Sequence, residues 1–354
     1  MVDLSSYLKS AKLVYSLFKY KESHPPNLTI TTEEYTGVDN EHAPVKIINP
    51  TNYTEKIVIL YPGASPLAEN HPKMDMLARL LAKLEFKVYI PRIPPLKSLD
   101  LSSKNVEWFI SFYKWILDIK KHPSKKIFMV GISFGGAIML KAIHKTTNKI
   151  PHPKTILTYG TYSNSESMLK FLIDGKITTQ NQTYETKPHE WGLIVLFHNF
   201  LKNIQTKWDS KDLEYALELK VKEQNEECNK FVEDLPKLQK HIFSSIVNSN
   251  VTPEVKNLAQ QIIDHHRNHM DELSPRYWAE NIKNKIFILH GANDTMVPFT
   301  ESIQLAKFLP NTELLISHLY EHNEMSKNRS PFYILIEVLK FINFYAKLFH
   351  QYEN

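Results

Sequence analysis

Two hydrophobic patterns alternate along most of the chain. Short, continuous apolar runs predict buried strands, and apolar residues that recur at helical spacing predict helices between them. The predicted strands cover residues 28–35, 45–48, 56–61, 87–90, 127–130, 155–159, 285–290 and 313–317. The predicted helices cover residues 72–84, 102–119, 134–144, 300–309 and 331–350. This alternation predicts an α/β fold with a mostly parallel sheet flanked by helices.

The alternation of strands and helices stops after Gly160 and resumes near residue 283. Residues 161–282 show helical patterns and no convincing strand, so we expect a helical cap inserted before the last two strands. The predicted core domain therefore comprises residues 1–160 and 283–354.

Residues 4–20 predict an amphipathic helix, with Leu4, Leu8, Leu17 and Phe18 near one face and lysines elsewhere. We favour the interpretation that this helix packs on its own domain. The alternative is a helix that makes weak contact with a membrane surface or with lipid.

Composition narrows the class of protein. Of 354 residues, 42% are hydrophobic and 23% are charged, which is normal for a globular protein with a large core. The net charge of +5 comes from basic residues that are spread along the chain, which argues against a nucleic-acid-binding patch. The lone Cys228 cannot form a disulfide within the chain, and neither a signal peptide nor a membrane-spanning apolar stretch is visible. We therefore expect a cytoplasmic protein.

The candidate chemistry centres on one serine. Residues 127–130 are apolar, and Gly131-Ile132-Ser133-Phe134-Gly135 follows them directly, before a helix-forming run. This is the G-x-S-x-G pattern in the strand–turn–helix context that it requires. A sharp turn crowds the backbone around Ser133, so the flanking positions cannot carry a Cβ atom. The helix that begins there points free N–H groups and the positive end of its dipole at the serine.

This segment resembles the nucleophile elbow of the α/β-hydrolase family, in its serine esterase and lipase branch, which includes monoacylglycerol lipases and serine aminopeptidase-like proteins. The resemblance covers residues 45–160 and 283–350. It implies the α/β-hydrolase fold and a catalytic triad in the chain order Ser, Asp or Glu, His. It also implies that the cap forms a lid over the site, for which a packed helical subdomain without a gating role is the alternative.

The resemblance extends to the acid and the base of the triad. Residues 291–298 resemble the family's acid turn, in which Asp294 matches the acid; an Asx-turn residue is the structural alternative. His290, before this turn, is interpreted as structural. The family's spacing favours His322, 28 positions after Asp294, as the base over His318, 24 positions after it.

The resemblance further implies an oxyanion hole made of two backbone N–H groups. One belongs to Phe134, directly after the nucleophile. The other comes from the loop Pro62-Gly63-Ala64-Ser65 after the third strand, where Ala64 is the favoured donor and Ser65 is the alternative.

These residues predict a serine hydrolase that cleaves carboxylic esters, lipid-like esters such as a monoacylglycerol among them, through Ser133, Asp294 and His322. No cofactor and no metal is expected, since nucleotide-binding motifs are not found and His265 and His269 lack the further ligands of a metal site. The expected partner is a small-molecule ester, and the oligomeric state is left open. Amide or thioester hydrolysis, acyl transfer, and a non-catalytic hydrolase-fold binding protein are the alternatives.

Overall fold

The computed structural model describes residues 2–20, 28–52, 54–179, 182–321 and 331–354. Its strands are β1 (Thr29–Thr36), β2 (His42–Asn49), β3 (Ile57–Tyr61), β4 (Lys87–Pro91), β5 (Ile127–Ile132), β6 (Thr155–Tyr159), β7 (Lys176–Thr178), β8 (Thr183–Glu185), β9 (Ile286–Asn293) and β10 (Thr312–Glu321). Its α-helices are α1 (Leu4–Phe18), α2 (Pro72–Ala82), α3 (Pro94–Lys97), α4 (Lys104–Asp118), α5 (Phe134–Thr146), α6 (Ser165–Asp174), α7 (Glu190–Phe200), α8 (Lys211–Val221), α9 (Asn225–Glu233), α10 (Lys237–Val247), α11 (Pro253–His265), α12 (Arg267–Leu273), α13 (Phe299–Phe308) and α14 (Pro331–Glu353).

Eight of the described strands form one sheet in the order β1-β2-β4-β3-β5-β6-β9-β10. The β1–β2 and β2–β4 pairs are antiparallel, and the other adjacent strands pair in parallel. The inner strands β3 and β5 are buried on both faces, as their continuous apolar sequences require. The prediction of a mostly parallel sheet flanked by helices is confirmed.

Helices cover both faces of this sheet. On one face, α4, α5 and α13 pack against a layer that includes Ile59 and Met129. On the other face, α1, α2 and α14 pack against Val58 and Val130. Successive residues of a strand point to opposite faces, so the apolar runs fill both layers at once. Polar side chains that could take part in a reaction are therefore expected at the edge of the sheet, where the parallel strands end.

The segment between β6 and β9 is mainly helical, as the sequence predicts. Helices α6 to α12 bury an apolar cluster that includes Phe197, Leu217 and the lone Cys228. No strand is predicted here from the sequence, but β7 and β8 form a short antiparallel hairpin. Strands of this length carry too few alternating residues to be distinguished from a loop. The division into core and cap at residues 160 and 283 stays a prediction.

Two strands of the sheet are longer than the apolar runs that predicted them. β9 continues to Asn293, and β10 continues to Glu321. The added residues of the two strands pair with each other. Ser317 pairs with Gly291 and, after a register shift, Glu321 pairs with Asn293. Paired backbone groups satisfy each other's hydrogen bonds even where the side chains are polar. Asp294 therefore follows directly after a strand at the edge of the sheet.

The N-terminal helix α1 packs on its own domain, but the four apolar residues that the sequence groups on one face divide between two, since Leu17 packs inward. Leu13 and Val14 are buried in the layer formed with α2 and α14, whereas Leu4 and Leu8 are exposed. Ser10 lies on the buried face, where its hydroxyl group donates to a backbone carbonyl of α14. Among the described helices, none has the continuous apolar length that spanning a bilayer requires.

Candidate active site

Ser133 lies at the tip of the turn between β5 and α5. Its φ of 52° and ψ of −127° place it at positive φ, which a serine adopts only under strain. The Ser133 amide donates a 2.7 Å hydrogen bond to the carbonyl oxygen of Tyr159, which ties the turn to the end of β6. Gly135 permits the turn, because a Cβ atom there would lie 2.0 Å from the carbonyl oxygen of Pro62.

Two backbone amides adjoin this serine. Phe134 is the first residue of α5, so no preceding helical turn supplies an acceptor for its N–H group. Ala64 lies in the loop after β3, next to Gly63, where an added Cβ atom would lie 3.3 Å from the Cβ atom of Ser133. Neither the Phe134 nor the Ala64 amide donates a hydrogen bond to an acceptor in the described part of the chain. Their role as an oxyanion hole stays a prediction, which this close approach supports.

Asp294 lies at the end of β9, and only 8% of its surface is exposed. Its Oδ1 atom accepts hydrogen bonds from the amides of Met296 and Val297, at 2.8 and 3.0 Å. Its Oδ2 atom approaches Gly160, where an added Cβ atom would lie 3.4 Å from it. The Asx turn is therefore present, but it occupies only Oδ1, and Oδ2 points toward the end of β6. Ser133 and Asp294 thus flank the end of the same strand.

The two histidines considered as the base are placed differently. His322 lies outside the described residues, so its role stays a prediction. His318 belongs to β10, and its amide donates a 3.0 Å hydrogen bond to Oε2 of Glu337. The imidazole ring of His318 packs edge-on against Tyr333, with 6.2 Å between the ring centroids. It does not belong to the described lining of either cavity at Ser133.

Two apolar cavities meet at Ser133. The smaller, of about 120 Å³, lies between the serine turn and the cap helices α6, α7 and α12. The larger, of about 360 Å³, extends from Ser133 and Asp294 to α1, α2 and α14. Ala64, Trp191 and Met296 line both cavities. Trp191, on α7, therefore lies at the boundary between the two cavities. The sequence did not distinguish Trp191 from the other apolar residues of this segment.

Glu301 connects α13 to the first cap helix. Its buried Oε2 atom accepts hydrogen bonds from the Ser163 amide at 2.9 Å, the Ser163 hydroxyl at 2.7 Å and the Asn164 amide at 2.9 Å. Its Oε1 atom accepts a hydrogen bond from the hydroxyl group of Ser167 in α6. This residue is not predictable from the sequence, because a glutamate in the first turn of a helix carries no signal that sets it apart. Glu301 positions the start of the cap beside the smaller cavity.

The cap histidines have separate surroundings. His269 lines the smaller cavity, and its Nε2 atom lies 3.1 Å from the carbonyl oxygen of Leu101. The ring of His266 packs against Phe200 at a centroid distance of 4.5 Å. Across the described residues, no group of three His, Cys, Asp or Glu side chains is placed to hold a metal ion.

Solved structures share this architecture. Uncomplexed acylaminoacyl peptidase from Pyrococcus horikoshii matches 96% of the chain at 11% identity, with a TM-score of 0.51. A puromycin-hydrolyzing peptidase from Mycobacterium tuberculosis matches 93% of the chain at 14% identity, with a TM-score of 0.52. A puromycin hydrolase matches 93% at 10% identity, with a TM-score of 0.53. The chain has the α/β-hydrolase fold.

The match covers less than half of each of these larger proteins. The chain spans 43% of the Pyrococcus horikoshii peptidase and 41% of each of the other two chains. No family model matches the sequence, and no curated protein matches it. At such identities the similarity establishes the fold alone, so the activity must be argued from the site.

Proposed function

We propose that this chain is a serine hydrolase that cleaves carboxylic esters. The observation that carries the proposal is the position of Ser133, a strained serine at the end of a parallel strand where two apolar cavities meet. Two amides without an acceptor among the described residues adjoin it, and the buried Asp294 lies on the same cavity. A strained turn that is kept at a cavity is typical of a reactive group.

In the proposed reaction, His322 accepts the hydroxyl proton of Ser133 while the serine oxygen attacks the ester carbonyl carbon. The amides of Phe134 and Ala64 stabilise the negative charge on the carbonyl oxygen. Collapse of the tetrahedral intermediate breaks the bond to the alcohol oxygen, and His322 returns the proton to the departing alcohol. A water molecule that gives its proton to His322 then attacks the acyl-enzyme, which releases the acid and restores Ser133. Asp294 orients His322 throughout.

The cavity walls favour an ester with apolar groups on both sides of the carbonyl and no positive charge. Among the described lining residues, Asp294 is the only carboxylate, and the triad already uses it. An aminopeptidase substrate carries an ammonium group, which is costly to bury without an anionic partner. We therefore favour a lipid-like ester, such as a monoacylglycerol, over an amide with a free amino terminus.

A series of p-nitrophenyl esters, from short to long acyl chains, tests the proposal. We expect hydrolysis by the wild type, and loss of both hydrolysis and fluorophosphonate labelling in Ser133→Ala. Ser98→Ala is the matched control, because this exposed hydroxyl group bonds only to backbone carbonyls. If no ester is hydrolysed and Ser133 is not labelled, the proposal is wrong and the non-catalytic binding alternative gains support.

The choice of base and acceptor needs its own test. We expect His322→Ala to lower kcat by about a thousandfold or more, and His318→Ala to change it little. The reverse result would assign the base to His318.

Product analysis with an added alcohol separates a hydrolase from an acyltransferase, because only the latter forms a new ester in preference to the free acid. The cytoplasmic location stays a prediction.

A further inference from the structure

We propose that α1 and α14 together form a docking surface for an anionic lipid bilayer. The exposed large apolar residues of α1 are Leu4, Tyr7, Leu8, Tyr15 and Phe18. Those of α14 are Phe332, Leu335, Ile336 and Leu339. On each helix these residues fall within an arc of about 100°, so each helix presents one continuous apolar stripe. We call these nine residues the α1/α14 stripe.

The stripes of the two helices join into one surface. The Ser10 hydroxyl group donates a 2.7 Å hydrogen bond to the carbonyl oxygen of Ile342, which fixes α1 alongside α14. The Tyr7 hydroxyl group donates a 3.1 Å hydrogen bond to Oδ1 of Asn343. Tyr7 belongs to the stripe of α1, and the exposed Asn343 lies one helical turn after Leu339 on the same face of α14. An exposed apolar surface of this extent is typical of an interaction site.

The charge beside this surface favours anionic lipid. Lys12 and Lys19 are exposed and follow the stripe on the flank of α1 opposite to Tyr7. The sequence from Leu4 to Lys19 contains no aspartate or glutamate. Interfacial helices combine such an apolar face with lysines at the polar boundary, where they attract anionic headgroups. A second copy of this chain would instead bring a rim of like charge.

The inner faces of the same helices lead toward the serine. Leu13 and Leu17 of α1, with Phe341 and Tyr345 of α14, line the larger cavity that reaches Ser133. An apolar ester that leaves a bilayer at the α1/α14 stripe would therefore be close to an apolar path to the nucleophile. This use of the surface rests on the proposed function, whereas docking itself does not.

Flotation of the Ser133→Ala protein with lipid vesicles tests docking separately from hydrolysis. We expect binding to vesicles of phosphatidylcholine with phosphatidylserine, and weaker binding to pure phosphatidylcholine. Adding Leu8→Glu or Leu335→Glu should weaken binding by about tenfold each, because an apolar contact with the bilayer is lost. Ile119→Glu is the matched control, since Ile119 is 67% exposed at the end of α4, on the other face of the sheet, and should leave binding unchanged.

Two kinds of result would overturn the docking surface. If the protein does not float with either vesicle, or if Leu335→Glu binds as well as Ile119→Glu, the docking surface is overturned. Self-association in sedimentation velocity that Leu335→Glu abolishes, without vesicle binding, would make the stripe an interface between copies and also overturn it. If the Ser133→Ala protein binds vesicles but the wild type hydrolyses no soluble ester, the result supports the docking surface and contradicts the proposed function.

Discussion

The Nε2 atom of His290 lies 3.6 Å from Oδ2 of Asp294 and 2.9 Å from the carbonyl oxygen of Val297. The other ring nitrogen of His290 lies 2.7 Å from the hydroxyl oxygen of Ser302. The histidine is completely buried, and it does not belong to the described lining of either cavity. His290 is therefore structural in a specific sense, because it holds the turn that carries the predicted catalytic acid.

Replacing this imidazole should affect stability and rate together. In His290→Leu, the Val297 carbonyl and the Ser302 hydroxyl lose a buried partner, which we expect to lower the free energy of unfolding by about 2 kcal/mol. A shifted Asp294 should also lower kcat. Urea unfolding and steady-state ester hydrolysis measure the two effects, and His290→Gln, which keeps polar groups at the site, should recover part of each. Unchanged stability in His290→Leu would contradict the role.

Asp294→Asn should lower the activity without changing the stability. The side-chain oxygen of asparagine still accepts hydrogen bonds from the amides of Met296 and Val297, so thermal unfolding should change little. Loss of the negative charge beside the base should lower kcat by about a thousandfold to ten-thousandfold, with little effect on KM. A kcat within about tenfold of the wild type would show that Asp294 only stabilises its Asx turn and does not orient the base.

Gly135→Ala tests the close approach that allows the serine turn. Its new Cβ atom would lie 2.0 Å from the carbonyl oxygen of Pro62. This oxygen belongs to the backbone, so it cannot move aside by a change of side-chain rotamer. We expect a loss of about 1–3 kcal/mol in the free energy of unfolding, and low activity, because the displaced loop also carries Ala64. Gly192→Ala is the control for stability, since its Cβ atom would meet the methyl end of the Leu172 side chain and not a backbone atom, and should cost less. Equal losses in both variants would show that the turn has no special constraint.

The sequence pointed to those candidate residues that belong to a short local pattern. An apolar strand, a glycine-flanked serine and a helix occupy consecutive residues, so Ser133 was found without knowledge of the tertiary structure. Asp294 was proposed from the resemblance of residues 291–298 to the family's acid turn, and the structure places it on the same cavity as Ser133. Glu301 and Trp191 were missed, because what each does depends on a partner more than a hundred positions away or on a cavity.

The N-terminal helix illustrates the same limit in the fold. Its sequence offers two apolar faces, and the choice between them depends on α14, more than three hundred residues later. The buried face contains Ser6 and Ser10, whose hydroxyl groups bond to Asp3 and to a backbone carbonyl. Hydropathy alone does not show which face is buried, and Leu17, which the sequence analysis grouped with Leu4 and Leu8, packs with α2 and α14 instead.

Trp191→Ala should change which esters are hydrolysed. The indole ring stands between the two cavities, and its removal would join them beside Ser133. We expect the p-nitrophenyl ester of highest kcat/KM to shift toward longer acyl chains, with little effect on fluorophosphonate labelling. Tyr184→Ala, which removes an exposed aromatic ring that is not in the described lining of either cavity, should leave the chain-length profile unchanged. An unchanged profile in Trp191→Ala would show that the ring does not limit the acyl chain.

Glu337 connects the end of the sheet to the last helix. Its buried carboxylate accepts hydrogen bonds from Nζ of Lys340 at 2.8 Å and from the amide of His318 at 3.0 Å. Burial acts to raise the pKa of Glu337, but these hydrogen bonds and the charge of Lys340 outweigh it and hold the pKa below its ordinary value. A pKa that is lowered in the folded state adds stability above the unfolded-state value of about 4.3, and this stability is lost as the pH falls through the folded value.

Acid should therefore weaken the junction between β10 and α14. We expect the free energy of unfolding of the wild type to fall as the pH drops below about 5, and to fall less in Glu337→Gln, which has no carboxylate to protonate. Urea unfolding at several pH values measures this difference. Glu218→Gln is the control, because its ion pair with Lys222 is solvent-exposed and screened, so it should follow the wild type. Equal acid losses in the wild type and Glu337→Gln would show that this carboxylate is not the source.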